Sequence, residues 1–263
     1  MISEISYAVR TASRMLYHAN DTSRDTVTID SRAMPIHDAR GSKTSLDFEG
    51  FQIISDVMAT QILPTDGQTS DSRQNELASL LTQVTGADLV IPTGRGIQRF
   101  SERSPLCGTL DNSRPARFAH VDVSGRTAET FSRRFAPGGQ PRPSRSAHYN
   151  IWSILTPPPQ DVPLALCDAR TVSPDDLLPA DAIFDRNGED LWSFEGLVLA
   201  HSPRHRWCWF SNMSPGEALV FKTYDSAPDV ARCVPHVAFD NPDAKHHAVP
   251  RASIEHRAIA YWF

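Results

Sequence analysis

Three residues of this chain have the types and the order of a metal site. His120 and Asp122 stand two residues apart, and His236 follows far downstream. Two imidazoles and one carboxylate on one face of a ferrous ion leave the other coordination positions open, which is the arrangement of non-haem iron oxygenases. The pattern therefore predicts a metal centre at which a cosubstrate and dioxygen can meet.

A second interpretation stays open for these residues, because the first two form only a short motif. Of the ten histidines, only His120 is followed two residues later by Asp or Glu, which is about what chance provides. Residues 117–123 alternate as a strand does, so His120 and Asp122 share one face, as two ligands of one metal must. The alternative is a surface strand with an incidental His and Asp. For His236 it is a capping or core histidine bonded to the backbone.

A candidate carboxylate anchor lies beyond the second histidine. Arg251 follows His236 by 15 residues, and alternation places Arg251, Ser253, Glu255 and Arg257 on one face of a strand. A guanidinium binds a carboxylate with two parallel hydrogen bonds, and a serine hydroxyl adds another donor. This pair suits the distal carboxylate of 2-oxoglutarate. The alternative is a surface ladder in which Glu255 pairs with one of the arginines.

Other polar residues have two open interpretations each. Asn150 is a candidate donor to the cosubstrate, or a strand-end amide that bonds to the backbone. His205 precedes an aromatic strand and is a candidate ligand or pocket residue. Lys222 and Asp225 either line the site or stabilise a turn.

Composition narrows the class of protein. The chain has 263 residues, of which 22% are charged, with a formal net charge of −5, so a polyanionic partner or a membrane surface is not favoured. No leader is evident, and no apolar stretch reaches the roughly 18 residues of a membrane span. The four cysteines are scattered without a Cys-x-x-Cys pair, which favours buried free thiols over zinc. We expect a cytoplasmic protein whose partners are a small-molecule substrate and dioxygen. The oligomeric state is not predicted.

The element pattern predicts a mainly β fold with flanking helices. Leu77, Leu80, Leu81 and Val84 recur at helical spacing after the N-cap candidates at 69–71, and Gly86 supplies the stop. Short apolar or alternating runs then predict strands, separated by turn residues, in a barrel or jelly roll. The predicted strands cover residues 48–54, 89–91, 117–123, 149–155, 163–167, 191–200, 206–210, 217–222 and 254–263. We expect one domain over 1–263, with 1–45 wrapping it, a loop or lid over 135–145 and a core over about 115–263.

Several motifs in the second half of the chain resemble one family in combination. They are Asn150-Ile151-Trp152, residues 163–170, His205-Arg206-Trp207 with Phe210, Phe221-Lys222-x-Tyr224-Asp225-Ser226, Pro235-His236-x-Ala238-Phe239, and Pro250-Arg251-x-Ser253-Ile254-Glu255. The chain is similar, over roughly residues 115–260, to the hydroxylase/desaturase family of microbial secondary metabolism. That family includes gibberellin desaturase-like and asperfuranone-cluster enzymes.

The resemblance implies a non-haem Fe(II)- and 2-oxoglutarate-dependent oxygenase with a double-stranded β-helix, the cupin-like jelly roll. His120, Asp122 and His236 match the metal positions, and Arg251 with Ser253 matches the cosubstrate anchor. The implied reactions are hydroxylation, desaturation or oxidative ring closure of a small-molecule biosynthetic intermediate.

This sequence also departs from the family pattern. Ser153 stands where many relatives have Arg, Ala252 replaces a frequent Glu, and Cys233 stands where an aromatic residue is usual. These departures bear on the substrate pocket more than on the metal. Two rival functions are an accessory or binding protein on the same fold, and an iron oxidase that uses no 2-oxoglutarate.

Overall fold

The chain forms fifteen strands and two α-helices within the residues that the computed structural model describes, 1–55, 71–244 and 248–263. The helices are α1 (Asp71–Thr85) and α2 (Gly125–Phe135). The strands are β1 (Ile2–Ala8), β2 (Met15–His18), β3 (Ile29–Asp38), β4 (Phe51–Ser55), β5 (Leu89–Pro92), β6 (Ile97–Phe100), β7 (His120–Val121), β8 (Arg145–Ile154), β9 (Leu164–Cys167), β10 (Leu177–Arg186), β11 (Glu189–Leu199), β12 (Trp207–Trp209), β13 (Glu217–Asp225), β14 (His236–Ala238) and β15 (Ala252–Trp262).

The strands form two sheets that pack face to face. The larger sheet has nine strands in the order β1-β3-β12-β9-β14-β7-β11-β10-β2. The smaller has six, β4-β13-β8-β15-β5, with β6 also paired to β15. Leu166 of the larger sheet packs with Trp152 and Phe221 of the smaller one, so an apolar core fills the space between them. The predicted fold, a mainly β jelly roll with flanking helices, is confirmed.

The smaller sheet is covered on both faces, which explains the long apolar runs in its strands. On one face, Tyr149 and Ile151 belong to a buried cluster with Leu77 and Leu81 of α1. On the other, Trp152 and its neighbours face the larger sheet. Strands buried on both sides carry near-continuous apolar residues instead of alternating ones. This sheet therefore gives β8 and β15 a rigid setting at the site described below.

The predicted strands of the second half of the chain are present, with ends shifted by a few residues. The helix predicted before Gly86 is α1, and Gly86 has the positive φ of a helix stop. Its cap candidates Thr69 and Ser70 lie outside the described residues. Helix α2 and strands β1–β3, β6 and β10 were not predicted. The segment expected to wrap the domain instead adds strands to the larger sheet, and Ile5, Tyr7 and Ile36 lie in its core.

Two further observations concern the predicted class of protein. Among the described residues, no helix is long and apolar enough to cross a membrane. All four cysteines are free thiols, as predicted, and Cys167, Cys208 and Cys233 are buried while Cys107 is half-buried.

Candidate metal centre

Two neighbouring strands of the larger sheet bring the three candidate ligands together. In the antiparallel pair β7–β14, His236 stands directly opposite His120, and their rings lie 4.3 Å apart. Asp122 follows β7 on the face of His120, as the alternation predicts. Asp122 Oδ1 lies 3.5 Å from His120 Nε2 and 3.7 Å from His236 Nε2. One ligand atom from each residue lies within 4.8 Å of the others, and all three residues are buried.

Backbone carbonyls orient both imidazoles. His120 Nδ1 lies 2.9 Å from the carbonyl oxygen of Phe118, and His236 Nδ1 lies 3.2 Å from that of Val234. A carbonyl only accepts, so each Nδ1 carries the proton and each Nε2 has a free lone pair. Hydrogen bonds of this kind fix the tautomer and the ring angle of metal-binding histidines. Both free Nε2 atoms point to the side of Asp122.

The carboxylate of Asp122 uses its two oxygens differently. Oδ1 faces the histidines, whereas Oδ2 accepts from Asn150 Nδ2 at 2.8 Å and lies 3.1 Å from Arg257 Nη2. Glu255 accepts from the Arg257 guanidinium at 2.9 Å and so holds it in place. We call Asn150 and Arg257 the carboxylate clamp. It leaves Oδ1 free for a metal.

The charges of the site suit a metal ligand set. Burial raises the pKa of Asp122, but the charge of Arg257 and the contacts with the two histidines outweigh that effect and hold the pKa well below its usual range. Burial, with the neighbouring His120, lowers the pKa of His236 to about 3. Near neutral pH, Asp122 is therefore an ionised carboxylate and His236 a neutral imidazole, and these are the forms that bind a metal. The donor set fits iron.

The candidate anchor, Arg251, immediately precedes β15 and lies six residues before Arg257 in the sequence. Arg251 is fully buried, its Nη1 donates to the carbonyl oxygen of Val162 at 2.6 Å, and its guanidinium carbon lies 5.8 Å from the ring centre of Trp152. Its Nε has no hydrogen-bond partner among the described residues. Burial and the nearby charges of Arg99 and Arg117 lower the pKa of Arg251 to about 9. Ser253 is buried two residues further on, and its hydroxyl lies 3.4 Å from the carbonyl oxygen of Arg99.

The other sequence candidates divide between the site and the rest of the molecule. Asn150 reaches the centre, but its amide contacts Asp122. His205 lies elsewhere, 3.2 Å from an Asp176 carboxylate oxygen, with its ring stacked on Tyr7. Lys222 and Asp225 form a buried ion pair with each other.

Two cavities meet beside the metal centre, and four residues line both of them: Asp122, Phe184, Phe194 and Arg257. The first, of about 540 Å³, is also lined by His120 and by Arg99, Arg114 and Arg117, and we call it the arginine-lined cavity. The second, of about 400 Å³, is lined by a group of Phe and Trp rings, and we call it the aromatic cavity. Among the described residues, Arg251 and Ser253 line neither.

Sequence reasoning missed two parts of this centre. The sequence placed Arg257 on the same strand face as Arg251 and Ser253, but its contact with Asp122 depends on how the two sheets face each other. The aromatic cavity depends on α2 and β10, which the pattern did not predict, and on β11, which it did predict as a strand over 191–200. Phe184 lies two residues from Ala182, and Trp192 two residues from Phe194. This spacing places each pair on one face of a strand and was the signal that the sequence offered.

Known proteins that are similar to this chain include oxidoreductases that depend on iron. A family model described as YDMC: Oxidoreductase/YMDC permease-like domain matches residues 5–261. The hydroxylase/desaturase efuI of Hormonema carpetanum is 28% identical, in an alignment that covers 99% of this chain and 90% of that protein. The Fe(II)/2-oxoglutarate-dependent dioxygenase nvfI of Aspergillus novofumigatus is also 28% identical, over 86% of this chain and 81% of that protein.

A solved structure has the same fold. The iron and alpha-ketoglutarate-dependent endoperoxidase NvfI superposes with a TM-score of 0.85 at 25% sequence identity. The superposition covers 99% of this chain and 97% of that one. The similarity therefore includes the N-terminal strands as well as the jelly-roll core.

Proposed function

This chain belongs to the oxidoreductase/YMDC permease-like domain family, and from that membership and its buried triad we infer its activity. It is an Fe(II)- and 2-oxoglutarate-dependent dioxygenase, an oxidoreductase that hydroxylates, desaturates or oxidatively cyclises a small molecule of secondary metabolism. The observation that carries this conclusion is the convergence of two histidines and one carboxylate within 4.8 Å.

We propose that His120, Asp122 and His236 hold the iron. When bound together with 2-oxoglutarate and dioxygen, the metal supplies the oxidising power that breaks an unactivated C–H bond. The chain supplies the geometry. Its carbonyls fix both imidazoles, and its carboxylate clamp turns Asp122 Oδ1 towards them. The rings of Phe118 and Phe221, 5.5 and 4.7 Å from those of His120 and His236, help to exclude water.

We propose that Arg251 and Ser253 bind the distal carboxylate of 2-oxoglutarate. A fully buried guanidinium whose Nε has no partner among the described residues favours an anionic ligand, because an unsatisfied buried donor is costly. Arg257 is the second candidate, favoured because it lines both cavities beside Asp122. If Arg251 and Ser253 form the anchor, Asn150 adds a polar contact near the metal end of the cosubstrate.

Succinate release in the absence of an added substrate tests the activity and the anchor together. We expect succinate only when Fe(II) and 2-oxoglutarate are both present. Arg251→Gln should raise the KM for 2-oxoglutarate by about tenfold or more, as expected for one lost charge-assisted contact. If Arg257→Gln raises that KM and Arg251→Gln leaves it unchanged, the anchor is Arg257.

Succinate release, measured together with substrate oxidation, separates the rival functions. An accessory protein predicts that no succinate forms although the protein is folded and contains iron. An iron oxidase without a cosubstrate predicts turnover that Arg251→Gln leaves unchanged. The intact ligand set favours the enzyme over the accessory protein, because a binding module has no need of ionised and neutral donors matched to a metal.

We propose that residues 1–263 form one oxygenase domain in the cytoplasm. Continuous pairing of N-terminal and C-terminal strands within one sheet supports a single domain. Free, buried thiols support a reducing compartment. The partners are the small-molecule substrate and dioxygen, with no role for nucleic acid or a membrane.

A further inference from the structure

Five aromatic rings form a continuous wall along the aromatic cavity. Two come from α2 and three from the β10–β11 hairpin: Phe131, Phe135, Phe184, Trp192 and Phe194. The rings of Phe184 and Trp192 stack 4.1 Å apart at 11°, and Phe194 lies 5.4 and 5.3 Å from them. Phe131 joins the group 5.6 Å from Phe194. We call these residues the aromatic wall.

The outer part of the wall is exposed. Trp192 is 52% exposed and Phe135 37% exposed. A contiguous exposed apolar surface beside a cavity is typical of a binding site, because exposure of large rings to water has a free-energy cost that an apolar ligand removes. The wall therefore indicates a ligand that covers it.

The inner end of the same cavity reaches the metal centre. Asp122 and both clamp residues line it. A molecule that lies against the wall thus extends to within contact of a metal ligand, which a partner protein docked on the surface does not do. The arginine-lined cavity also reaches Asp122 and shares Phe184 and Phe194 with the aromatic cavity, but it adds Arg99, Arg114 and Arg117 to its lining. Arg95 and Arg134 also line the aromatic cavity, but its accessible lining is more apolar than that of the arginine-lined cavity.

We propose that the aromatic cavity is the substrate subsite and that the substrate is an apolar, ring-bearing molecule. This inference rests on the proposed function and names the substrate class of the same centre. Rings of the substrate pack against Phe184, Trp192 and Phe194, and the inner end of the bound molecule lies beside Asp122. A volume of about 400 Å³ accommodates a ligand of two to several rings.

Binding of N-phenyl-1-naphthylamine, an uncharged apolar ring compound that fluoresces in apolar surroundings, tests the subsite. We expect saturable binding to the whole protein. Trp192→Ala and Phe131→Ala should each weaken it by about fivefold or more, because each removes a ring that the ligand covers. Trp192 is half exposed, so its replacement leaves folding intact even if Phe131→Ala does not.

Two matched variants serve as controls. Leu191 neighbours Trp192 and is 55% exposed but is not part of the cavity lining, and Ile29 is 44% exposed and lines only the arginine-lined cavity. Leu191→Ala and Ile29→Ala should leave the affinity unchanged. The proposal is overturned if binding does not saturate, if Trp192→Ala has no effect, or if Ile29→Ala weakens binding as strongly. Iron content is measured on the same samples, so failure of the proposed function is seen separately.

Discussion

At the scale of single residues, the metal centre depends on the different contacts that the two oxygens of the Asp122 carboxylate make. Asp122 Oδ1 faces both histidines, while Oδ2 is occupied by Asn150 and Arg257. Residues that hold metal ligands in this way usually affect metal affinity almost as strongly as the ligands do. Asn150 and Arg257 are therefore positioning residues for the metal site.

Removal of the Asn150 amide should weaken iron binding without abolishing it. Asn150→Ala removes one of the two clamp contacts of Asp122 Oδ2, and we expect the Kd for Fe(II) to rise by roughly 10- to 100-fold. Competition with a calibrated chelator measures it.

Asn241→Ala is the matched control for this variant. Asn241 is another buried asparagine, and its amide donates to the carbonyl of Gln160, away from the triad. Its replacement should leave the Kd for Fe(II) unchanged. Equal Fe(II) affinity in Asn150→Ala and the wild type would show that the clamp does not position Asp122.

Part of this arrangement of single residues could be predicted from the sequence. A spacing of two places His120 and Asp122 on one face whatever the rest of the fold, because the side-chain period of a strand is two. The contact of Asp122 with Arg257 needs β7 and β15 to face each other across two sheets. No local pattern in the sequence determines that arrangement.

At the scale of elements, β11 must approach the metal-bearing strand closely. Leu197 of β11 pairs with Val121 of β7, and Gly196 precedes it. A Cβ at Gly196 would lie 2.7 Å from Tyr17 Oη and 2.9 Å from the Asp122 carbonyl oxygen. Real Cβ atoms are not found so close to other heavy atoms, so the absence of a side chain here lets β11 support the segment that carries Asp122.

Gly196→Ala should therefore disturb both stability and metal binding. Overpacking of this kind typically lowers the free energy of unfolding by about 1–3 kcal/mol, and displacement of the Asp122 backbone should also weaken iron binding. Urea unfolding and chelator competition measure the two effects. Gly138→Ala is the control, because a Cβ there meets open space. Unchanged iron affinity in Gly196→Ala would show that the close approach of β11 at Gly196 does not position the metal site.

Elements buried on both faces were the easiest to predict. Strands β8 and β13 carry long apolar runs because α1 and the larger sheet cover them. Helix α2 was missed, since it begins at Gly125 and much of its exposed surface is charged, even though Ser124 accepts a hydrogen bond from the Thr127 amide as an N-cap. Strands β1 and β3 were missed because many of their residues are exposed and their pairing is not local.

At the scale of the whole molecule, the two packed sheets bury histidines that have no metal role. His148 lies in β8, with its Nε2 2.9 Å from the hydroxyl of Ser132, and His256 lies in β15. Burial lowers the pKa of each to about 4, and the charge of Arg73 adds to the effect at His256. Both are neutral in the folded protein and gain protons more readily when it unfolds.

Stability of the metal-free protein should fall as pH decreases. The unfolded chain binds more protons between the ordinary histidine pKa, about 6.5, and the folded value, so the stabilisation is present above that window and is lost within it. As the pH falls from about 7 to about 5, each of these two histidines should lower the free energy of unfolding by about 2 kcal/mol. Urea unfolding in the presence of a chelator measures this loss.

Single replacements assign the loss to these residues. His148→Gln and His256→Gln should each make the pH dependence shallower, whereas His37→Gln, at an exposed position, should leave it unchanged. A wild-type pH dependence retained in both buried variants would contradict the account of these two side chains.

The most direct test of the whole account is the iron content of the protein after anaerobic reconstitution with Fe(II) and removal of unbound metal. The wild type should retain about one iron per chain, because two imidazoles and an ionised carboxylate converge on one point. Asp122→Ala and His236→Ala should retain almost none while remaining folded. A folded wild type without iron, or variants that keep as much iron as the wild type, would contradict the assignment of His120, Asp122 and His236 as the metal centre.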